Sequence, residues 1–393
     1  MKIMTNNKWK HSVLSEISLL IKDGTHGTHK NIADGIPLLS AKDIHDGIID
    51  TNNNPRRISN TDYKTIHKKY EIKKHDILLT IVGTIGRCAI VKDVANKFTV
   101  QRSVAVLRMN DSVIPEYVYQ IFLSNQFQKD LTQGAHGLAQ AGIYLGELSK
   151  KQIPVPPLKT QQKISDILSS IDEAIQKTDQ IIRKSERLKY GLMQNIFSFQ
   201  NKEEVKFIAL GDIGKVSMCR RIFKEETSSI GEIPFYKIGT FGKEPDAFIS
   251  QELYDSYRKK FSFPKIGDVL LSASGTIGRR VQFDGKPAYF QDSNIIWLEH
   301  DESIVLNNFL FYLYETIKWQ TEGSTIKRLY NNIILKKRVP VPSIDNQRKI
   351  VKILSVLDEK ISINKKSKIR LNYFKKGIMQ DIFSQKVEVN SYE

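Results

Sequence analysis

The chain contains one long stretch twice. IPVPPLKTQQKISDILSSIDEAI begins at Ile153 and VPVPSIDNQRKIVKILSVLDEKI at Val339, aligned without a gap at an offset of 186 residues. The match resumes at that offset in LKYGLMQNIFS from Leu188 and FKKGIMQDIFS from Phe374. Two stretches so alike must fold alike, so the chain is a doubled unit before it is anything else.

Each copy reads as a long helix approached through a proline-stiffened strand. Pro154, Pro156 and Pro157, like Pro340 and Pro342, deny the preceding segment helical geometry. Thr160 and Asn346 stand just before the apolar rhythm and are N-cap candidates. In the first copy the rhythm is Ile164, Leu168, Ile171, Ile175, Thr178, Ile182, Ser185, Lys189, Leu192 and Ile196. In the second it is Ile350, Leu354, Leu357, Ile361, Asn364, Lys368, Leu371, Lys375, Ile378 and Ile382. Alternating steps of four and three make the a/d seam of a coiled coil, here polar at its centre in both copies. The 39 residues from Thr160 to Ser198 predict a helix about 58 Å long.

A chain of 393 residues has room for two or three domains. Lys and Arg number 60 against 43 Asp and Glu, a formal charge of +17, which points to an anionic partner with nucleic acid first. Cys88 and Cys219 cannot build a disulfide framework and fit a reducing compartment. The start, MKIMTNNKWK, has no apolar signal core, and no apolar run of 18 residues follows, so a soluble cytoplasmic protein is expected.

Between the helices lie short β-branched runs broken by Gly, Asn and Asp, which read as strands and hairpins. DILLTIVGTIGRCAIV from Asp76 matches DVLLSASGTIGRRVQF from Asp268, and QRSVAVLR from Gln101 matches QDSNIIWLE from Gln291. The offset drifts along the chain, so the loops differ while the framework repeats, which suggests one job done twice on different targets. Gly83-Thr84-Ile85-Gly86 and Gly275-Thr276-Ile277-Gly278 read as tight turns needing positive φ.

These motifs, in this order and repeated twice, resemble the specificity subunit of type I restriction-modification systems. The resemblance is carried by the two Gly-Thr-Ile-Gly turns, each after an Asp-Ile/Val-Leu-Leu strand, and by the Ile/Val-Pro-Val-Pro segments. Gln161 and Gln347, Ile171-Asp172-Glu173 and Leu357-Asp358-Glu359 complete it. It implies an α+β fold: two mixed α/β target recognition domains separated by a long antiparallel two-helix coiled coil, with an internal pseudo-twofold repeat. The expected divisions are residues 1–157 for the first recognition domain, 158–200 for the first spacer helix, 201–342 for the second domain and 343–393 for the second helix. It also implies that each domain reads half of a split sequence in double-stranded DNA and that this chain carries no catalysis. Two methyltransferase subunits with S-adenosylmethionine would supply methylation, and restriction subunits with ATP and Mg would supply cleavage. Gln161, Asp172, Glu173, Gln347, Asp358 and Glu359 are the candidate partner-binding residues.

The alternative is a self-sufficient restriction or methylation enzyme, and the motifs disfavour it. There is no Gly-x-x-x-x-Gly-Lys-Ser/Thr, and the nearest approach to Asn-Pro-Pro-aromatic is Asn54-Pro55-Arg56-Arg57. A coiled-coil adaptor without a nucleic-acid role is argued against by the charge. His26-Gly27-Thr28-His29 hints at a metal, but no Cys or carboxylate cluster supports it.

What remains is equipment for binding DNA. In the first domain the candidates are Lys42, Asp43, Arg56, Arg57, Lys68, Lys69, Arg87, Gln101 and Arg102, with Lys73 and Lys74 nearby. In the second they are Arg220, Arg221, Lys237, Arg258, Lys259, Arg279, Arg280, Gln291, Asn294, Lys327 and Arg328, with Lys260 and Asp292 nearby. Most of the cations should meet phosphate and position the domain, while forked or paired donors and acceptors are what base edges need.

Overall fold

The computed structural model describes residues 9–45, 47–53, 55–68, 70–133, 142–198, 205–320, 328–387 and 389. The chain forms two compact units, Met1–Thr178 with Lys366–Glu393, and Asp179–Lys365. Each unit therefore takes its globular part from one repeat and helix from both.

In the first unit a four-stranded antiparallel sheet runs in the order Ser18–Asp23, Val104–Met109, Ile77–Thr80, Cys88–Ile90. The second unit repeats it as Gly214–Ser217, Ile295–His300, Val269–Ser272, Arg280–Gln282. The central strands are apolar without alternation because both faces are covered. Ile77 and Leu79 join one core with Ala105, Leu107 and the helix Pro115–Phe122. Leu78 points the other way, into a core with Leu39, Ala89, Val100 and Val106. Val269 and Leu271 are likewise parted from Leu270 in the second unit.

The opposite core is floored by a small mixed sheet in each unit. Arg56–Ile58 pairs antiparallel with Ile36–Leu39, which pairs in parallel with Thr99–Val100. Phe248–Ile249, Ile233–Tyr236 and Tyr289–Phe290 repeat that arrangement. A two-stranded ribbon, Lys10–Val13 with Gln152–Val155, leads to the first long helix, and Lys206–Ala209 with Arg338–Val341 to the second.

The long helices are Leu158–Ser198 and Ile344–Phe383, of 41 and 40 residues. They begin two residues before the expected caps. The Pro157 carbonyl accepts from the backbone N–H groups of Thr160 and Gln161, and that of Ser343 from Gln347, so Thr160 and Asn346 lie inside the first turn. The a/d reading locates the buried stripe as far as Ser185: Ile164, Leu168, Ile171, Ile182 and Ser185 are buried, as are Leu354 and Ile361. At the next position after Lys189 and Lys375 it is corrected, although Ile382 is buried as expected. Met193 and Met379 are buried, while Leu192 and Ile378 are only half-buried. A step of four from each Lys replaces the expected step of three.

Within each unit the two half-helices run antiparallel. In the second, Lys189 meets Asp358 and Glu186 meets Lys365, so one helix descends as the other rises. In the first, Ile164, Leu168 and Ile171 share a core with Met379 and Ile382. Leu168 is wholly buried there, and truncation to Ala at such a site costs about 2–5 kcal/mol.

Candidate nucleic-acid interface

Four segments of the first unit are stitched together by backbone hydrogen bonds at one end of its small sheet. Gln101 N–H donates to the Leu39 carbonyl at 2.7 Å, and Thr25 N–H to that of Val100 at 2.9 Å. Ala41 N–H donates to Ser103 Oγ at 3.2 Å, and Arg56 Nη2 to the His29 carbonyl at 2.5 Å. Gly24 makes the approach possible, since a Cβ there would sit 2.0 Å from the Val100 carbonyl oxygen. The result gathers Lys42, Arg56, Arg57, Gln101 and Arg102, of which Lys42, Arg56 and Arg102 are exposed. Arg57 is half-buried and donates to the Gly35 carbonyl at 2.9 Å. Asp43 is a correction. It is buried, with Oδ2 accepting from Ser40 N–H at 2.8 Å and from Ser40 Oγ at 2.9 Å, and it locks the turn that carries Lys42.

The Gly-Thr-Ile-Gly segments are turns of the expected kind, with φ of +82° and +90° at Gly83 and Gly86, and +63° and +85° at Gly275 and Gly278. A hydroxyl at the strand end closes each one. Thr80 Oγ1 donates to the Thr84 carbonyl and accepts from Arg87 N–H at 2.9 Å; Ser272 does the same for Thr276 and Arg279 at 2.8 Å. Arg87 leaves its turn exposed. Arg279 folds back, its Nη1 donating to the Phe241 carbonyl at 2.7 Å. Arg280 is the second correction. Its guanidinium pairs with Glu315 and lies 4.5 Å from the centre of the Phe311 ring, so it is spent inside the unit and is not free for phosphate.

The second unit gathers its counterparts at the matching end. Gln291 N–H donates to the Tyr236 carbonyl at 3.0 Å, and Gln291 Oε1 accepts from Ile238 N–H at 2.9 Å. Asn294 Oδ1 accepts from Ser274 Oγ at 2.7 Å and from Arg328 Nη2 at 2.9 Å. Lys237 pairs with Asp246 at 2.8 Å, and Arg221 with Asp292 at 2.9 Å. Beside them is a cleft of about 550 Å³ lined by Met218, Cys219, Arg220, Arg221, Phe223, Phe261, Ser262 and Asp292. Arg220 stacks 5.2 Å from the Phe261 ring centre, at the end of the helix Gln251–Lys260 that bears Arg258, Lys259 and Lys260. Arg258 covers Tyr254 and Phe263.

Other candidates stand apart or elsewhere. Lys68, Lys73 and Lys74 are exposed on the first unit, and Lys69 and Lys327 lie outside the described residues. His26 meets Asp23 at 2.5 Å while His29 meets Thr25 at 2.9 Å, so the pair does not converge. Among the described residues no group of three or more His, Cys, Asp or Glu could hold a metal ion. Burial pushes the thiols of Cys88 and Cys219 up to about 12, which leaves them unreactive. Among the described residues no helix is long and apolar enough to cross a membrane.

The model of the type I restriction modification DNA specificity domain matches residues 6–186 and again 202–373. The chain belongs to this specificity family. A putative type I restriction enzyme specificity subunit of Haemophilus influenzae is 40% identical over 265 residues, 66% of this chain and 68% of the relative. A putative specificity subunit of Methanocaldococcus jannaschii is 25% identical over 98% of this chain and 94% of its own. The fold is shared with the crystallised S subunit from M. genitalium, at 18% identity and a TM-score of 0.65, over 97% of this chain and 98% of that one. The specificity family is the DNA-recognition component of type I restriction-modification.

For a specificity protein the helix motifs prove inward-looking, which corrects the sequence reading. Gln161 and Gln347 are fully buried. Gln161 Oε1 accepts from Ile114 N–H at 2.8 Å and its Nε2 donates to the Pro156 carbonyl at 2.8 Å. Gln347 repeats this with Leu306 and Pro342. They fasten helix to globular part and have no surface to offer a partner. Asp172 and Asp358 are likewise engaged, by Gln120 and Lys375, and by Tyr312 and Lys189. Glu173 and Glu359 remain exposed. The role of Lys189 and Lys375 went unread, although a Lys in both copies of an apolar seam is a signal of a buried anion opposite.

Proposed function

We propose that this chain reads a bipartite sequence in double-stranded DNA, one half with each unit, and hands that site to catalytic partner subunits. The observation that carries the reading is a repeated framework that presents different polar side chains at matched points. Arg102 in the first unit stands where Asp292 stands in the second, each following a Gln whose backbone N–H binds the end of the neighbouring strand. Base edges are read by such side chains, whereas the exposed cations around them supply sequence-independent affinity. In this reading the long helices set the number of unread base pairs. Two methyltransferase subunits bring S-adenosylmethionine, restriction subunits bring ATP and Mg, and this chain contributes no chemistry of its own. The doubled scaffold offers one docking patch twice, which favours two methyltransferase subunits per chain.

Selection of the full-length chain against a randomised duplex library tests the reading. Two enriched base clusters separated by an unselected gap are expected. A single contiguous motif, or none, would contradict it.

A further inference from the structure

Two carboxamides in the second unit are wired so that each has its oxygen bonded within the unit while its NH2 group is left for a ligand. Asn294 Oδ1 accepts from Arg328 Nη2 at 2.9 Å and from Ser274 Oγ at 2.7 Å. A guanidinium has five donors and no acceptor, so the amide atom facing it must be oxygen. Gln291 is oriented by the same logic, since Ile238 N–H, 2.9 Å from its Oε1, can only donate. The other end of each amide makes no hydrogen bond to the described residues, and neither side chain is buried.

The first unit lacks this device on the same framework. The carbonyl of Ser103 accepts from Ile81 N–H as that of Asn294 accepts from Ala273 N–H. Gly142 bridges Val82 as Arg328 bridges Ser274. A Ser and a Gly therefore stand where the second unit has its Asn and Arg. The fold does not require the amide–guanidinium pair, so its presence in one copy calls for a use outside the fold.

We propose that Asn294 and Gln291 read acceptor edges in the half-site of the second unit, guanine O6 and N7 or thymine O4 in the major groove. This rests on the DNA-reading role argued above. Free Asn and Gln side chains pair with adenine through one donor and one acceptor. Here both lone pairs of the Asn294 oxygen are taken and the Gln291 oxygen is held by a backbone N–H. The free end of each amide is therefore its NH2 group, which leaves the adenine N6–H2 unpaired and meets the cytosine N4–H2 donor to donor. Guanine and thymine on the contacted strand satisfy the arrangement.

Asn294→Asp and Gln291→Glu test it, because each keeps the inward oxygen and exchanges the outward donor for an anionic acceptor. Wild-type and variant full-length chains are put through selection on randomised duplexes, with thermal melts to verify folding. Each variant should move one position of one half-site from guanine or thymine toward cytosine or adenine, by about tenfold, and leave the other half unchanged. Unchanged base preferences in folded variants, with or without a uniform loss of affinity, overturn the proposal while leaving a bipartite wild-type motif standing. The absence of any wild-type motif overturns the DNA-reading role itself, and this inference with it.

Discussion

Lys375 Nζ lies 2.6 Å from Asp172 Oδ1 and 2.7 Å from its Oδ2, although the two residues are 203 positions apart. The repeat offset of 186 turns Asp172 into Asp358 and Lys189 into Lys375. Lys189 indeed reaches Asp358 Oδ1 at 2.7 Å. Each unit thus joins the Asp of one repeat to the Lys of the other, as an antiparallel pairing of two equal helices demands. The third member differs: Gln120 donates to Asp172 at 2.9 Å, and Tyr312 does so to Asp358 at the same distance.

Lys375→Met should destabilise the first unit by roughly 1–3 kcal/mol, because a carboxylate evolved for a buried ammonium keeps only Gln120. Asp172→Leu together with Lys375→Met should recover most of the loss. Urea unfolding of the single and double variants measures the coupling, and simple additivity would show that the pair does not act as one.

Asp76 has a fully buried carboxylate gripped in two places by Arg108, Nε to Oδ1 at 2.8 Å and Nη2 to Oδ2 at 2.8 Å. Arg108→Leu leaves that charge without a counterion, and a loss of about 3–5 kcal/mol is expected in the same assay. Here the second unit has solved the position differently. By strand register Glu299 stands in place of Arg108, and its carboxylate turns to Ser217 Oγ at 2.7 Å and Lys215 at 3.4 Å instead.

As a result Asp268, the counterpart of Asp76, has no Arg, and burial holds its carboxyl above the ordinary carboxylate range. A raised folded-state pKa means that folding disfavours the ionised form. The cost is present above the folded pKa and fades as pH falls through it. Asp268→Asn keeps an oxygen for Lys265 N–H, now 2.8 Å from Oδ2, and should raise Tm at pH 7. The gain should shrink as the wild-type carboxyl protonates at acid pH, and thermal melts across that range follow it.

Salt dependence separates free cations from spent ones. Lys42 and Arg102 are exposed and gathered at the candidate interface, whereas Arg280 is held by Glu315. Lys42→Ala with Arg102→Ala should flatten the log–log salt dependence of binding by about 0.9 for each phosphate contact removed. Arg280→Ala should lower thermal stability and leave that slope alone. Binding isotherms over a range of salt concentrations distinguish the two.

The doubled plan was legible because a four-three rhythm has one structural meaning, and its repetition at a fixed offset has one architectural meaning. The slip from Leu192 to Met193 was not, since both residues are apolar and neighbouring turns of helix offer either to the seam. Nor were the fates of Asp43 and Arg280. A cation beside a glycine turn looks free until the fold brings Glu315 to it from 35 positions away. Gln161 shows the same blindness from the other side: its partners at Ile114 and Ser112 belong to a different element. Side-chain hydrogen bonds across elements are products of the fold, and no local pattern announces them.

The central claim is that each unit reads its own half-site. Replacing residues 205–338 with the matching segment of a relative of different specificity, and sequencing the methylated bases in the DNA of a host carrying the hybrid with its partner subunits, tests that claim most directly. The account predicts a new motif in one half of the target, with the other half and its bases retained. A change in both halves would contradict it.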